Sequence, residues 1–186
     1  MIEMNHIRKR IQNHVPRQLA AMDLVRAAVL IPIVESEDNL EILLTVRTDE
    51  VEHHKGQVAF PGGAVEPQDA DVRETALRET REEIALTPDQ IEVIGRIDDL
   101  WTPTGFIVSP FIGYVPMLPE LTMEPGEVSD YFTVPLDFFM HDANGYTKKY
   151  PRGDTEVDVW FYEYNSYKVW GVTAFIIRNL KSILEP

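Results

Sequence analysis

The sequence predicts an α/β domain in which a mixed β-sheet carries helices on its faces. Residues 27–34 form a continuous apolar run, AAVLIPIV, as a strand buried on both faces does. Residues 91–100 alternate apolar and polar side chains, the pattern of a half-buried strand. Residues 71–85 and 171–184 read as helices, and helices interleaved with strands pack against a sheet.

The elements follow in order. Met4, Ile7 and Ile11 recur at helical spacing with Arg8, Lys9 and Arg10 between them. They predict a short helix over residues 3–14 that packs on the domain or on a partner; its apolar face is too small for a membrane role. The strand at 27–34 turns through Glu37, Asp38 and Asn39 into a second strand, 40–47. Residues 48–55 form a polar loop with His53 and His54, and a short strand at 57–60 enters the turn Pro61-Gly62-Gly63. Pro88 blocks continuation of the helix at 71–85. A turn at 102–105 precedes a strand at 106–115 that Pro110 should break, and 116–126 is a proline-rich loop. A short helical segment is expected at 137–141. Asn144-Gly145 is a hairpin signal, with strands around 146–150 and 156–164. Residues 1–186 are read as one domain, with 1–26 a helical extension.

Composition excludes several function classes. The chain has 17 basic and 31 acidic residues, for a net charge of −14. That field opposes nucleic-acid backbones and anionic membranes, and it opposes a polyphosphate unless metal ions and local Arg or Lys neutralise the site. Cysteine is absent, which rules out disulfides, thiolate catalysis and Cys-based zinc sites. There is no long apolar run for a membrane span, no secretory signal pattern and no SKL-type ending, so a cytoplasmic protein is expected.

The chemistry concentrates in residues 62–86, GGAVEPQDADVRETALRETREEIAL. In a helix, Glu79, Glu82 and Glu83 fall within a sector of roughly 100°. Like charges at i,i+4 destabilise a helix by a few tenths of a kcal/mol per pair, so the helix gains nothing by stacking them unless a cation binds. Mg²⁺ takes oxygen ligands, often carboxylates together with substrate phosphates. The alternative is a solvated acidic helix face.

This segment resembles the box of the Nudix family, G-x5-E-x7-R-E-U-x-E-E-x-G-U, with U aliphatic. Gly63, Arg78, Glu79, Glu82 and Glu83 match. Asp69 stands at the first acidic position with one extra residue before Arg78, Thr80 replaces the aliphatic residue, and Ala85 replaces the last Gly. Upstream, LLTVRTDEVEHHKGQVAFPGG (residues 43–63) looks like the signature of the coenzyme A pyrophosphatase branch, LLTxR-(S/A)-x3-R-x3-G-x3-FPGG. Leu43, Leu44, Thr45, Arg47, Gly56, Phe60, Pro61, Gly62 and Gly63 match; Thr48 replaces Ser/Ala, and Glu52 replaces the second Arg. The likeness extends over residues 28–184, including EVSDYFTVPLDFF from Glu127.

The resemblance implies an α/β/α sandwich and a pyrophosphohydrolase using Mg²⁺ or Mn²⁺. It implies Glu82 and Glu83 as metal ligands, Glu79 as a ligand or the base, the Gly63 carbonyl completing the metal shell, and Arg78 orienting the glutamates. The substrate implied is coenzyme A or an acyl derivative, cleaved to 3′,5′-ADP and 4′-phosphopantetheine. ADP-ribose, a dinucleotide or a modified nucleoside triphosphate is the alternative that Glu52 keeps open, and a non-catalytic binding module is a third reading. Gly62 belongs to the substrate loop. Arg47 either contacts a phosphate or braces that loop. Glu127 is either a substrate-side ligand or base, or a solvated loop residue. Glu66 and Asp69 either reach a metal through water or, for Asp69, cap the helix. His53 and His54 either touch substrate or are simply exposed. Trp101, Trp160 and Trp170 either stack on a base or pack in the core. The sequence expects a small-molecule substrate with a diphosphate linkage, neither nucleic acid nor membrane, and is compatible with a homodimer.

Overall fold

The computed structural model describes residues 2–20, 23–37, 39–48, 56–153 and 155–185. Glu52, His53 and His54 lie outside the described residues.

The apolar run at 27–34 lies at the centre of the larger sheet. It belongs to β1 (Val25–Glu35), which pairs antiparallel with β2 (Leu40–Arg47) and parallel with β7 (Phe106–Val115). β3 (Val58–Ala59), β2, β1, β7 and β5 (Glu92–Arg96) stand in that order. Beside them, β4 (Gly62–Ala64) pairs with β1, β6 (Leu100–Trp101) with β7, and β8 (Val128–Pro135) with β2. The expected mixed sheet is therefore present. Along β1, Ile31 and Ile33 enter one apolar cluster, while Ala28, Leu30 and Val34 enter a second. The run is continuous because both faces of the strand are covered.

Helices supply the covering layers. On one face lie α1 (Met4–Asn13), α3 (Leu136–Met140) and α4 (Gly171–Leu184), with Ile7, Leu136, Phe139, Ile176 and Ile177 in the first cluster. The amino-terminal helix thus packs on the domain. On the other face α2 (Val72–Ile84) buries Ala76 and Ile84 in the second cluster. A smaller antiparallel sheet of β9 (Gly145–Arg152), β10 (Thr155–Tyr164) and β11 (Tyr167–Trp170) packs beside α4. Among the described residues no helix is long and apolar enough to cross a membrane.

Several expectations need correction. Residues 106–115 form one unbroken strand despite Pro110. Pro110 accepts from the Ile97 N–H at the gap between β5 and β6, so its missing donor falls where no ladder partner is needed. The strand expected at 91–100 is split there. The Asp99 side chain is buried and bonds the Ser109 hydroxyl at 2.7 Å and the Leu19 N–H at 2.9 Å, drawing the chain out of the ladder. Asn144-Gly145 is not a hairpin turn: Asn144 closes a 3-10 turn, its amide donates to the Phe138 carbonyl at 2.8 Å, and Gly145 opens β9. The sequence reading also lacked β8 and β11. In β8, Ser129, Asp130 and Pro135 obscure the pattern of a strand only partly buried.

The box helix ends as its sequence specifies. Asp71 caps the amino terminus by accepting the Glu74 N–H at 2.8 Å. At the other end Ala85 takes a left-handed conformation, φ 58°, at the position where the box has Gly. A Cβ in that region is strained. Ala85→Gly is therefore expected to stabilise the protein by about 0.5–1 kcal/mol in chemical denaturation; an unchanged or lower stability would refute the strain.

Candidate functional site

The site is built where α2 meets the Gly-Gly strand. β4 pairs with β1 through Gly62↔Val29 and Gly63↔Ala28, and α2 lies against both strands. At Gly62, φ is 154° and a Cβ would overlap the Ala28 carbonyl oxygen; at Gly63, a Cβ would occupy the place of the Glu79 carboxylate. Only Gly permits this approach. It lets the α2 carboxylates rest on backbone, and the Gly62 N–H bonds Glu83.

Glu79, Glu83 and Glu127 each turn a carboxylate oxygen inward, and these oxygens lie within 4.8 Å of one another. The first two come from one face of α2, one turn apart. Glu127 comes from the chain entering β8, and three contacts place it. The Glu124 N–H bonds the Glu83 carbonyl at 2.8 Å, the Thr48 N–H bonds the Glu127 carbonyl at 3.0 Å, and the Thr48 hydroxyl bonds the Gly126 carbonyl at 3.1 Å. A register shift between Val46 and Arg47 sets the β2–β8 pairing here.

Glu83 is the most enclosed of the three, 2% exposed. Its Oε2 is buried with no hydrogen-bond partner among the described residues. Burial raises its pKa to about 8, against the pull of Arg47, whose Nη1 lies 3.8 Å from Oε1. Burial also raises that of Glu79, opposed by Arg78. Three converging carboxylates, one with an unsatisfied buried oxygen, suit a hard divalent cation: oxygen donors, negative charge and a vacant lone pair. Such a cation would stabilise the ionised carboxylates.

Arg78 ties the surroundings together. Its guanidinium donates to Asp69 at 2.8 and 3.1 Å, to Glu82 at 2.8 Å and to the Ala64 carbonyl at 3.2 Å, and it lies 2.9 Å from Glu79. It therefore pairs with both glutamates the sequence offered. Asp69 is not the helix cap; Asp71 is. Asp69 instead sits beneath Arg78, also accepting the Thr75 hydroxyl at 2.8 Å and the Glu66 N–H at 2.9 Å, and these bonds hold its carboxyl well below the usual range. Thr80, at the aliphatic box position, is fully buried, and its hydroxyl donates to the Ala76 carbonyl at 2.6 Å. Its polar atom is satisfied inside the helix.

The structure thus brings together Gly62, Gly63, Arg78, Glu79, Glu83, Glu127 and Arg47. Glu82 stands apart, 49% exposed and held by Arg78. Glu66 is exposed and faces Gln68. Arg47 keeps a buried Nε with no partner among the described residues. The strand signal that would have placed Glu127, the paired segment at β8, was hidden by its polar composition.

The NUDIX domain family model matches residues 24–152. A Shigella boydii protein described as an uncharacterized Nudix hydrolase, NudL, is 44% identical over 156 residues, covering 83% of this chain and 80% of that protein. The crystal structure of a Nudix hydrolase from Alicyclobacillus acidocaldarius shares the fold, with a TM-score of 0.54 and 23% identity over 64% of this chain and 83% of that one. So does the NUDIX domain of Shewanella oneidensis NrtR, crystallised with ADP ribose, with a TM-score of 0.51 and 20% identity over 69% of this chain and 82% of that one.

The raised Glu83 pKa fixes the sign of a pH effect. Between the ordinary 4.5 and about 8, native Glu83 keeps a proton that the unfolded chain has released. Its contribution to metal-free stability therefore falls as pH rises through that window. Glu83→Gln should flatten this slope in denaturation series from pH 5 to 8.5; an identical slope in the variant would show that Glu83 titrates normally. Arg78→Ala, which frees Glu79 and Asp69, is expected to lower divalent-metal affinity roughly 10–100-fold by calorimetry.

Proposed function

The chain belongs to the Nudix domain family, and on that premise we propose that it is a divalent-metal-dependent hydrolase of a diphosphate linkage, with coenzyme A or an acyl derivative as substrate. Nudix hydrolases generally use divalent metal ions. One observation carries the reading for this chain: the Glu79, Glu83 and Glu127 carboxylates converge over a backbone kept free of side chains at Gly62 and Gly63.

The residues divide the work by position. Glu79, Glu83 and Glu127, with the Gly63 carbonyl, would hold Mg²⁺ or Mn²⁺, and Glu82 is the reserve carboxylate one step outside. When bound, the metal supplies positive charge that offsets the phosphates and makes the phosphorus open to attack. Arg78 holds Glu79 in place and keeps Glu82 at the rim. Arg47, 27% exposed and with Nη1 3.8 Å from Glu83, would offer its guanidinium to a phosphate oxygen. A water attacks one phosphorus, the bond from that phosphorus to the bridging oxygen breaks, and the water's proton passes to a carboxylate. Glu79 or Glu127, the less enclosed members of the cluster, would serve as that base in place of binding the metal. For coenzyme A the products are 3′,5′-ADP and 4′-phosphopantetheine, or its acyl form.

The coenzyme A assignment rests on the matched residues 43–63. Glu52, at the signature's second Arg, supports a second reading in which the same site cleaves another nucleoside diphosphate derivative such as ADP-ribose. Retention of Glu79, Glu82 and Glu83 argues against a module that only binds.

Product analysis tests both. The purified protein with Mg²⁺ and then Mn²⁺ is expected to release 3′,5′-ADP from coenzyme A faster than it cleaves ADP-ribose, NADH, diadenosine polyphosphates or modified triphosphates. Faster cleavage of another substrate would overturn the coenzyme A assignment, and no cleavage at all would overturn the hydrolase. Glu83→Gln should reduce turnover at least about 100-fold, exceeding a typical supporting-shell loss.

A further inference from the structure

The carboxylate cluster deals with the phosphates of a substrate and leaves the most exposed aromatic side chains of the strands unused. Trp101 is 48% exposed and Tyr150 43%. Leu100 points into the cluster shared with α1 and α4, so Trp101, its neighbour on β6, points to the opposite face, on which α2 lies. Trp101 stands opposite Ile107 of β7, and Ile107 opposite Arg26 of β1. The Arg26 carbonyl accepts the Val65 N–H at 2.9 Å, immediately after β4. One row across the strands therefore joins Trp101 to the chain leaving the Gly-Gly segment.

The β9–β10 hairpin reaches the same place. The Arg152 guanidinium lies 5.3 Å from the centre of the Trp101 ring. Lys148, Tyr150 and Arg152 alternate along β9 and share one face. That face is braced by a row of near-parallel rings across the small sheet, Trp170 to Phe161 at 6.0 Å and Phe161 to Tyr146 at 5.4 Å. The other face is fixed to α3 through Tyr162 on Phe139 at 5.1 Å and Tyr164 on Phe138 at 5.0 Å. The hairpin is a braced arm that holds its side chains in place.

Its charge is selective. Lys148 is already engaged, its ammonium 5.3 Å from the centre of the Tyr146 ring and 5.7 Å from that of Phe161, and Lys149, turned the other way, pairs with Glu156 at 3.6 Å. In a chain of net charge −14, a cation such as Arg152, which makes no ion pair among the described residues and lies against the exposed Trp101 ring, suits a small ligand that is both planar and anionic. The overall charge opposes a nucleic-acid strand.

We infer that Trp101, Tyr150 and Arg152 form a subsite for the heterocyclic base and adjoining phosphate of a nucleotide-like ligand. The subsite rests on the proposed diphosphate hydrolase for the reason such a ligand is present. Contact of the base with both Trp101 and Tyr150 would discriminate ligands by their ring, and Arg152 would attract any phosphate.

Calorimetric titration of the full chain with AMP and with ribose 5-phosphate, without metal, tests this apart from catalysis. The wild type is expected to bind AMP about tenfold more tightly than ribose 5-phosphate, the scale of one base stack. Trp101→Leu and Tyr150→Ser should each bring that ratio towards one, Arg152→Glu should weaken both ligands, and Glu83→Gln should keep the ratio. The side chains changed on the arm are exposed, and circular dichroism checks that each variant folds. A wild type that does not distinguish the two ligands, or arm variants that bind AMP as the wild type does, would overturn the subsite. An intact AMP preference in a protein that cleaves no diphosphate compound would uphold the subsite and sink the hydrolase alone.

Discussion

At Gly62 and Gly63 the sheet presents bare backbone, and the space is filled by the Glu79 carboxylate and the backbone of β1. The rest of the site depends on this contact. With a Cβ at either position α2 could not sit so close, and Glu79 and Glu83 would face outward into water as ordinary helix carboxylates. Close packing instead removes Glu83 from solvent and leaves one of its oxygens without a partner among the described residues. Burying a charge without compensation is costly, so the arrangement makes sense as a device that a cation completes.

A second constraint keeps the carboxylates from scattering. Repulsion among Glu79, Glu82 and Asp69 is offset by one guanidinium, that of Arg78, which reaches all three and the Ala64 carbonyl. Arg suits this place because its planar fork carries five donors spread over three nitrogens, where an ammonium has three on one. Asp71 caps the helix, and Asp69 is freed to sit beneath the guanidinium.

The elements with strong period were legible from their residues. The run at 27–34, the strand at 40–47, and the helices at 71–85 and 171–184 all lie where their patterns place them, within a residue or two at the ends. Elements whose identity depends on a neighbour were not. Pro110 sits within a strand because the ladder beside it is interrupted, β8 is a strand because β2 offers it an edge, and Asn144-Gly145 starts a strand because the turn is made before it. For Pro110 and β8 a local propensity is overridden by pairing with another strand, and for Asn144-Gly145 by the bonds of the preceding turn.

Within the site, local sequence determined everything that one helix and one turn can carry. The spacing of Arg78, Glu79, Glu82 and Glu83 and the two glycines are properties of contiguous residues, and helical geometry alone puts the acids on one side. Which of those acids converge was decided by tertiary structure. Glu83 turns inward and Glu82 outward because the sheet lies on one side of α2 only, so adjacent residues about 100° apart divide between backbone and solvent. Glu127 joins Glu79 and Glu83 from about 45 residues away because β8 pairs with β2 and the chain before it is bonded to the end of α2. The sequence by itself determined the chemistry of the donors; the packing of α2 and β8 on one sheet decided which of them meet, since burial and distance are relations between segments.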